Sequence, residues 1–180
     1  FENLEFSRVF MAWFIPNLND QRNIIGLEIL ASILSVGRNS KLVKLLKEDS
    51  NLVESVYVDV NAGELGGLLV LEASCENKDV LLVEDKINEI IDEISDHKTL
   101  TLDEIKKAIN TVKSNYVFNL ETPTQLSSFF GNELLWGRKS SINKLESYLE
   151  YWNNLDNFKE ITKYIKQDKF SLIASPSNKC

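Results

Sequence analysis

The chain has 180 residues, 43% of them apolar, which is enough for one domain with a substantial core. Its 27 acidic residues outnumber its 20 basic ones, and the net charge of −7 argues against binding to nucleic acid or to an anionic membrane surface. No apolar run approaches the roughly 18 residues that span a bilayer and no signal peptide is visible, so we expect a cytoplasmic location, with the periplasm left open.

The first half of the chain reads as a strand, two helices and a pair of strands. The first strand is apolar on both faces, which predicts a central position in a sheet, and Pro16 ends it. Gly37 suits the end of a helix, and the glycine-rich stretch before residue 68 predicts a hairpin turn. The predicted elements are strand 8–15, a helix from the caps Asn19 and Asp20 to residue 35, a short helix over 42–46, and antiparallel strands 53–61 and 68–75.

The second half is helical until one closing strand. Thr101 and Glu104 form a capping box for one helix, and Thr122 and Gln125 form another, with Pro123 at the first helical position. The helix that follows Thr122 has apolar residues at helical spacing that we expect to face the core: Leu126, Phe129, Phe130 and Leu134. The predicted elements are helix 78–97, the two capped helices ending near residues 116 and 136, short helices 142–152 and 157–166, and strand 170–174.

This order of elements predicts the fold class. Strand, two helices, two strands, five helices and a last strand suit an α+β fold, with a mixed or antiparallel sheet and helices packed on one face. Residues 1–180 contain no internal repeat and no low-complexity linker, so we expect a single domain.

The sequence offers little for a metal or nucleophilic site. Zinc peptidases need imidazole and carboxylate ligands with a carboxylate base, and His97 is the only histidine. His97 lies one helical turn from Glu93 and two from Glu89, which could nominally supply three ligands. A solvated acidic flank, with a histidine favoured at a helix end, is the simpler interpretation. No G-x-S-x-G turn exists for a catalytic serine.

The turn at residues 37–40 precedes a helix and could bind an anion on free N–H groups. It lacks both phosphate-loop spacings, which favours either a simple helix–helix turn or a turn that lines a peptide or partner surface.

This turn and the segment after it carry a family resemblance. Residues 37–42 read GRNSKL, residues 46–51 read LKEDSN, and residues 52–56 read LVESV. They resemble the G-R-S-S-R-L turn, the L-R-E-E-K-G helix end and the L-A-Y-S-V strand of the non-zinc, C-terminal domain of the pitrilysin, insulinase and mitochondrial processing peptidase superfamily. The TLDEIKKA helix and the closing FSLIASP strand also fit, so the resemblance covers nearly all of the chain. It implies a non-catalytic domain, and a fragment of a longer two-domain chain.

The resemblance also predicts what the domain lacks. Active members place zinc in one domain, and the neighbouring domain contributes an Arg and a Tyr seven residues apart. Lys47 and Glu54 hold those positions here. Lysine lacks the planar fork of arginine, and glutamate cannot donate a hydrogen bond to an oxyanion at neutral pH as a phenol does. Tyr57, three residues further on, would point to the same side as Ser55 and substitutes poorly.

The resemblance therefore implies no catalytic activity in this chain alone, no cofactor within it, and zinc only in a catalytic partner. It implies a domain that closes a peptide-binding chamber and supports assembly with a zinc-bearing domain, in the same chain or in a separate subunit. The bound ligand would be a peptide substrate, and homo- or hetero-oligomers remain open. The alternative is a structural scaffold or peptide-binding module with no proteolytic role. The residues expected to face the chamber or the partner are Gly37, Arg38, Asn39, Ser40, Lys47, Glu54 and Tyr57.

Overall fold

The computed structural model describes residues 4–135 and 142–176 of the chain. Its strands are β1 (Ser7–Ile15), β2 (Val53–Ala62), β3 (Gly67–Cys75) and β4 (Phe170–Ala174). They form one sheet in the order β2-β3-β1-β4, and each of the three neighbouring pairs is antiparallel. The first strand is therefore central, as its two apolar faces predicted.

Most of the remaining described residues are helical. The helices are α1 (Gln21–Ser35), α2 (Val80–Ser95), α3 (Leu102–Phe118), α4 (Pro123–Leu135), α5 (Ile142–Trp152) and α6 (Leu155–Thr162). A π-helical segment, Val43–Asp49, takes the place of the predicted short helix, and a 3₁₀ turn, Asn77–Asp79, precedes α2. The predicted α+β fold and its order of elements are confirmed. None of the described helices is long and apolar enough to cross a membrane.

The core lies between one face of the sheet and the helices. Alternation along the strands points Met11, Trp13 and Leu71 to this side, where each is almost fully buried. Helix α1 crosses this face and is buried along nearly its whole length between residues 24 and 34. Each such large apolar side chain contributes roughly 1.5–3 kcal/mol relative to an exposed one.

Helix α1 also supports the outer helices through a close contact at Gly26. A Cβ atom at Gly26 would lie 2.6 Å from Ile161 Cδ1 on α6 and 2.8 Å from Trp152 Cε2 at the end of α5. The indole nitrogen of Trp152 donates a hydrogen bond to the Arg22 carbonyl at 2.7 Å. Glycine is therefore required where α5 and α6 meet α1, because a larger residue would separate the helices.

The opposite side of the sheet, named here the open face, is left uncovered by the described residues. Three of its apolar members are well exposed, with Phe14 at 76%, Phe170 at 70% and Leu172 at 51%. The strand register places the following residues on the open face: Ser55, Tyr57, Asp59 and Asn61 of β2, Leu68, Val70, Glu72 and Ser74 of β3, Arg8, Phe10, Ala12 and Phe14 of β1, and Phe170 and Leu172 of β4. The apolar second face of β1 is thus open, although its sequence resembles that of a strand covered on both sides.

Three helix predictions need correction. The helix predicted over 157–166 is α6, which begins at Leu155 after the cap Asn154 and ends at Thr162. The amides of residues 164–166 then bond to carbonyls three residues back, as in turns.

Helix α2 ends at Ser95 and not at His97, because His97 adopts a left-handed conformation (φ 61°) and Lys98 N–H reaches back to the Glu93 carbonyl at 2.9 Å. This pattern of hydrogen bonds is a Schellman motif.

The predicted inward stripe of α4 is also wrong in part. Leu126 and Phe129 are half-buried, but Phe130 is 39% exposed and Leu134 is 77% exposed. Helix α4 packs against α3 through Phe129, whose ring makes a T-shaped contact with the ring of Tyr116, with 6.4 Å between the ring centroids. The predicted end of this helix at residues 136–137 lies outside the described residues.

Candidate functional site

The turn at residues 37–40 is closed by its own side chain. Gly37 has a φ of 86°, which favours glycine, and its carbonyl accepts hydrogen bonds from the Ser40 amide at 3.1 Å and the Ser40 hydroxyl at 2.7 Å. Ser40 is buried, whereas the side chain of Arg38 is 87% exposed and lies 3.7 Å from Glu48. The serine therefore holds the turn, and the arginine faces solvent.

The same turn forms one wall of a shallow cavity of about 270 Å³ against α3. Gly37, Arg38, Asn39 and Ser40 all line it, opposite residues 104–111. The structure thus brings these four predicted residues together on one concave surface.

An ion pair joins this turn to the start of α3. Lys41 contacts Glu104 at 2.8 Å and donates to the Thr99 carbonyl at 2.7 Å. Although burial opposes it, hydrogen bonds from Lys41 and Thr101 lower the pKa of Glu104. Glu104 is therefore ionised, and Lys41 balances its negative charge within the domain.

Lys47 and Glu54 lie together, but not as a catalytic pair. The Lys47 ammonium donates a hydrogen bond to the backbone carbonyl of Glu54. The strand register slips by one residue between Val53 and Ser55, so Glu54 is the extra residue of a β-bulge and its side chain is exposed. The sequence analysis did not predict this bulge, because a bulge is defined by how β2 pairs with β3 and not by the sequence of β2 alone.

Tyr57 lies on the open face and does not approach the Lys47–Glu54 pair through any described hydrogen bond. Its hydroxyl donates to Glu72 Oε2, and the guanidinium of Arg8 contacts Glu72 Oε1 at 2.7 Å. The hydrogen bond to Glu72 raises the pKa of Tyr57, and burial adds to the effect. Its proton is therefore held by a carboxylate and is not available to a developing oxyanion.

Arg8 and Glu72 are members of this cluster that the sequence analysis did not single out. Glu72 is only 8% exposed, which requires a partner for its charge. A carboxylate among the apolar residues of β3 could have indicated a buried charge that needs a partner. Which residue is that partner depends on the strand register, which pairs Tyr57 with Glu72.

The donor set does not suit zinc. In residues 4–135 and 142–176, no three His, Cys, Asp or Glu side chains converge as metal ligands would. His97 lies beyond the end of α2, so its helical spacing from Glu93 and Glu89 no longer applies, and its Nδ1 lies 3.5 Å from the Thr162 hydroxyl.

The comparisons with known proteins identify the family. Residues 2–112 match the sequence family described as the peptidase M16 inactive domain, so the chain belongs to that family. It is an inactive peptidase domain, as the resemblance at residues 37–56 implied. No curated protein sequence matches the chain.

Solved structures share the fold over nearly the whole chain. A protease from Helicobacter pylori superposes with a TM-score of 0.83 at 15% identity, over 98% of this chain and 42% of its own. A chain of complex III from Candida albicans superposes with a TM-score of 0.82 at 17% identity, over 96% of this chain and 43% of its own. The inactive peptidase domain of a proposed zinc protease from Bordetella parapertussis gives 0.78 at 14% identity, over 96% of this chain and 93% of its own. At these identities the likeness concerns the fold, and this chain spans less than half the length of the first two proteins.

Proposed function

We propose that this domain is the non-catalytic half of a zinc peptidase, which closes a peptide-binding chamber by assembling with a zinc-bearing domain. The supporting observation is the open face of an inactive peptidase domain. Phe14, Phe170 and Leu172 expose 76%, 70% and 51% of their surface there, and large contiguous apolar patches on proteins commonly mark interfaces. We further propose a longer two-domain protein, because this chain spans 42% of the H. pylori protease. The cytoplasm is its proposed location, and the periplasm is the alternative.

The chamber wall would include the turn at residues 37–40 and the Lys47–Glu54 pair. The Lys47 ammonium keeps a positive charge where the related domains carry Arg, but the Glu54 carbonyl occupies one of its donors. The domain would thus contribute shape and charge around a peptide, while the bond-breaking chemistry belongs to the partner.

Association through the open face is tested by sedimentation of the domain with its zinc-bearing partner. Phe14→Asp introduces a charge into the apolar patch and should weaken association at least tenfold. Val117→Asp is the matched control, because Val117 is 54% exposed on α3, which packs against α1 on the other side of the sheet. Equal association of both variants with the partner would overturn the proposed interface.

The chamber role is tested at positions 47 and 54. Changing Lys47→Arg and Glu54→Tyr together should raise peptide cleavage by the assembled protein, because it restores a guanidinium fork and a phenol donor. Cleavage that stays unchanged in the double variant would place these residues outside the chamber.

A scaffold without proteolytic function is the second candidate, supported by the complex III chain that has the same fold. The two candidates differ in one result. A scaffold would associate through the open face, yet the assembly would cleave no peptide with zinc supplied.

A further inference from the structure

The indole N–H of Trp13 is buried without a hydrogen-bond partner. Trp13 is 1% exposed, and nothing within residues 4–135 and 142–176 accepts a hydrogen bond from its Nε1. The indole of Trp152, by contrast, donates to the Arg22 carbonyl at 2.7 Å. Because a buried N–H without an acceptor is destabilising, the Trp13 indole requires a partner that the described part of the chain does not supply.

Trp13 lines a cavity from which such a partner can come, named here the Trp13 cavity. It has a volume of about 810 Å³ and lies between β1, the last turn of α2 and the segment 165–169 that leads into β4. A single water molecule needs only about 30 Å³, so a ligand of several heavy atoms fits. The most buried residues of the cavity form its floor: Trp13 at 1% exposure, Ile165 at 2%, Ile91 at 4% and Ser95 at 7%.

The floor offers one hydrogen-bond donor and one acceptor. The indole of Trp13 can only donate. The hydroxyl of Ser95 donates its proton to the Asp92 carbonyl at 2.9 Å, which leaves the lone pairs of its oxygen free to accept. A ligand that satisfies both groups must therefore accept from Trp13 and donate to Ser95. An amide does both, whereas a carboxylate only accepts and an ammonium only donates.

The charges at the rim of the cavity balance. Asp96 binds Lys166 at 3.1 Å and Lys98 at 3.2 Å, and Lys169 donates to the side chain of Asn88. Three lysines and three aspartates line the cavity in all: Lys98, Lys166, Lys169, Asp92, Asp96 and Asp168. A rim of zero net charge above an apolar floor favours an uncharged ligand, because burying a charge without a counter-charge is costly.

We propose that the Trp13 cavity binds the amide group of an uncharged ligand. The amide carbonyl accepts from Trp13 Nε1, the amide N–H donates to Ser95 Oγ, and the apolar part of the ligand packs against Ile91 and Ile165. A main-chain peptide group and a side-chain carboxamide both present this chemistry. The inference does not rest on the proposed function, because Trp13 points to the helix side of the sheet and the proposed interface lies on the open face.

NMR of the ¹⁵N-labelled full-length protein tests the proposal, because the Trp13 indole N–H gives a signal of its own. Isobutyramide, isobutyrate and isobutylamine have nearly the same apolar part and present an amide, an anion and a cation. We expect isobutyramide to move the Trp13 signal saturably and to bind at least about tenfold more tightly than either ion. A Trp13 signal that isobutyramide leaves in place would mean that only water occupies the cavity. Equal or tighter binding of either ion would overturn the assignment to an amide.

A variant at Ser95 tests the second hydrogen bond without disturbing the indole. Ser95→Ala removes the proposed acceptor and should weaken isobutyramide binding about five- to tenfold, the loss expected for one hydrogen bond. Gln167→Ala is the matched control, because Gln167 lines the same cavity at an exposed position and should leave the affinity unchanged. Equal affinities of the two variants would contradict the two-point arrangement.

A secondary amide identifies the source of the group. N-isopropylacetamide resembles a main-chain peptide group, whereas isobutyramide resembles the side chain of Asn or Gln. Tighter binding of N-isopropylacetamide would assign the cavity to a peptide main chain, and tighter binding of isobutyramide would assign it to a side-chain carboxamide.

Discussion

Replacing Glu28 with Gln should change how the stability of the domain depends on pH. Glu28 lies on α1, partly buried beneath α3, and Tyr116 donates a hydrogen bond to its Oε1 at 3.4 Å. Burial raises the pKa of Glu28 from 4.5 to about 7; the hydrogen bond from Tyr116 opposes the rise, and the negative charge of Asp59 adds to it. Glutamine keeps the size and a hydrogen-bonding group but cannot ionise.

The size of the stability change follows from the linkage between proton binding and folding. A carboxyl group whose pKa is raised by folding binds its proton more tightly in the folded state, so stability is greatest below pH 4.5 and falls as pH rises through 7. The rise from 4.5 to about 7 corresponds to about 3 kcal/mol at 1.36 kcal/mol per pKa unit. Between pH 5 and pH 8, we therefore expect the free energy of unfolding of Glu28→Gln to gain about 2–3 kcal/mol relative to the wild type.

Urea unfolding of both proteins at pH 5, 6, 7 and 8 measures this difference. Other titrating groups, including His97 and the ion-paired carboxylates, change both proteins alike and cancel in the comparison. Glu150→Gln, at an exposed position on α5, is the matched control and should follow the wild type. A difference between Glu28→Gln and the wild type that stays constant from pH 5 to pH 8 would refute the argument that burial holds the Glu28 proton.

Two further predictions concern packing and capping, each measured as the midpoint of chemical unfolding. Gly26→Ala should cost about 1–3 kcal/mol, because its methyl group would press on Trp152 and Ile161, whereas Gly131→Ala, with open space around it in α4, should gain about 0.5–1 kcal/mol. Equal effects would mean that α1 can move away from α5 and α6. Thr101→Ala should cost about 1 kcal/mol, since Thr101 accepts from the Glu104 amide at 3.3 Å and its own amide donates to Glu104 Oε2 at 2.9 Å. Thr124→Ala, on the exposed side of α4, should change little by comparison, and a similar loss in both would show that the capping box contributes nothing of its own.

Features that depend on neighbours in the chain could be predicted from the sequence. Both capping boxes form, and the second one joins Gln125 N–H to Thr122 Oγ1 at 3.3 Å. The first strand, the hairpin and the order of helices also follow their patterns, because period and turn chemistry act over a few residues. The motif at residues 37–56 indicated the inactive peptidase family because its residues are consecutive in the chain, so it can be recognised without the tertiary structure.

The tertiary structure decided which apolar faces are covered. Phe14 and Leu134 look like core residues in the sequence, yet they are 76% and 77% exposed, because coverage depends on what packs over a face. The cluster of Arg8, Tyr57 and Glu72 likewise exists only through the register of three strands. Periodicity determines which side of a helix or strand is apolar, but only the arrangement of distant segments determines whether that side meets the core, solvent or another domain.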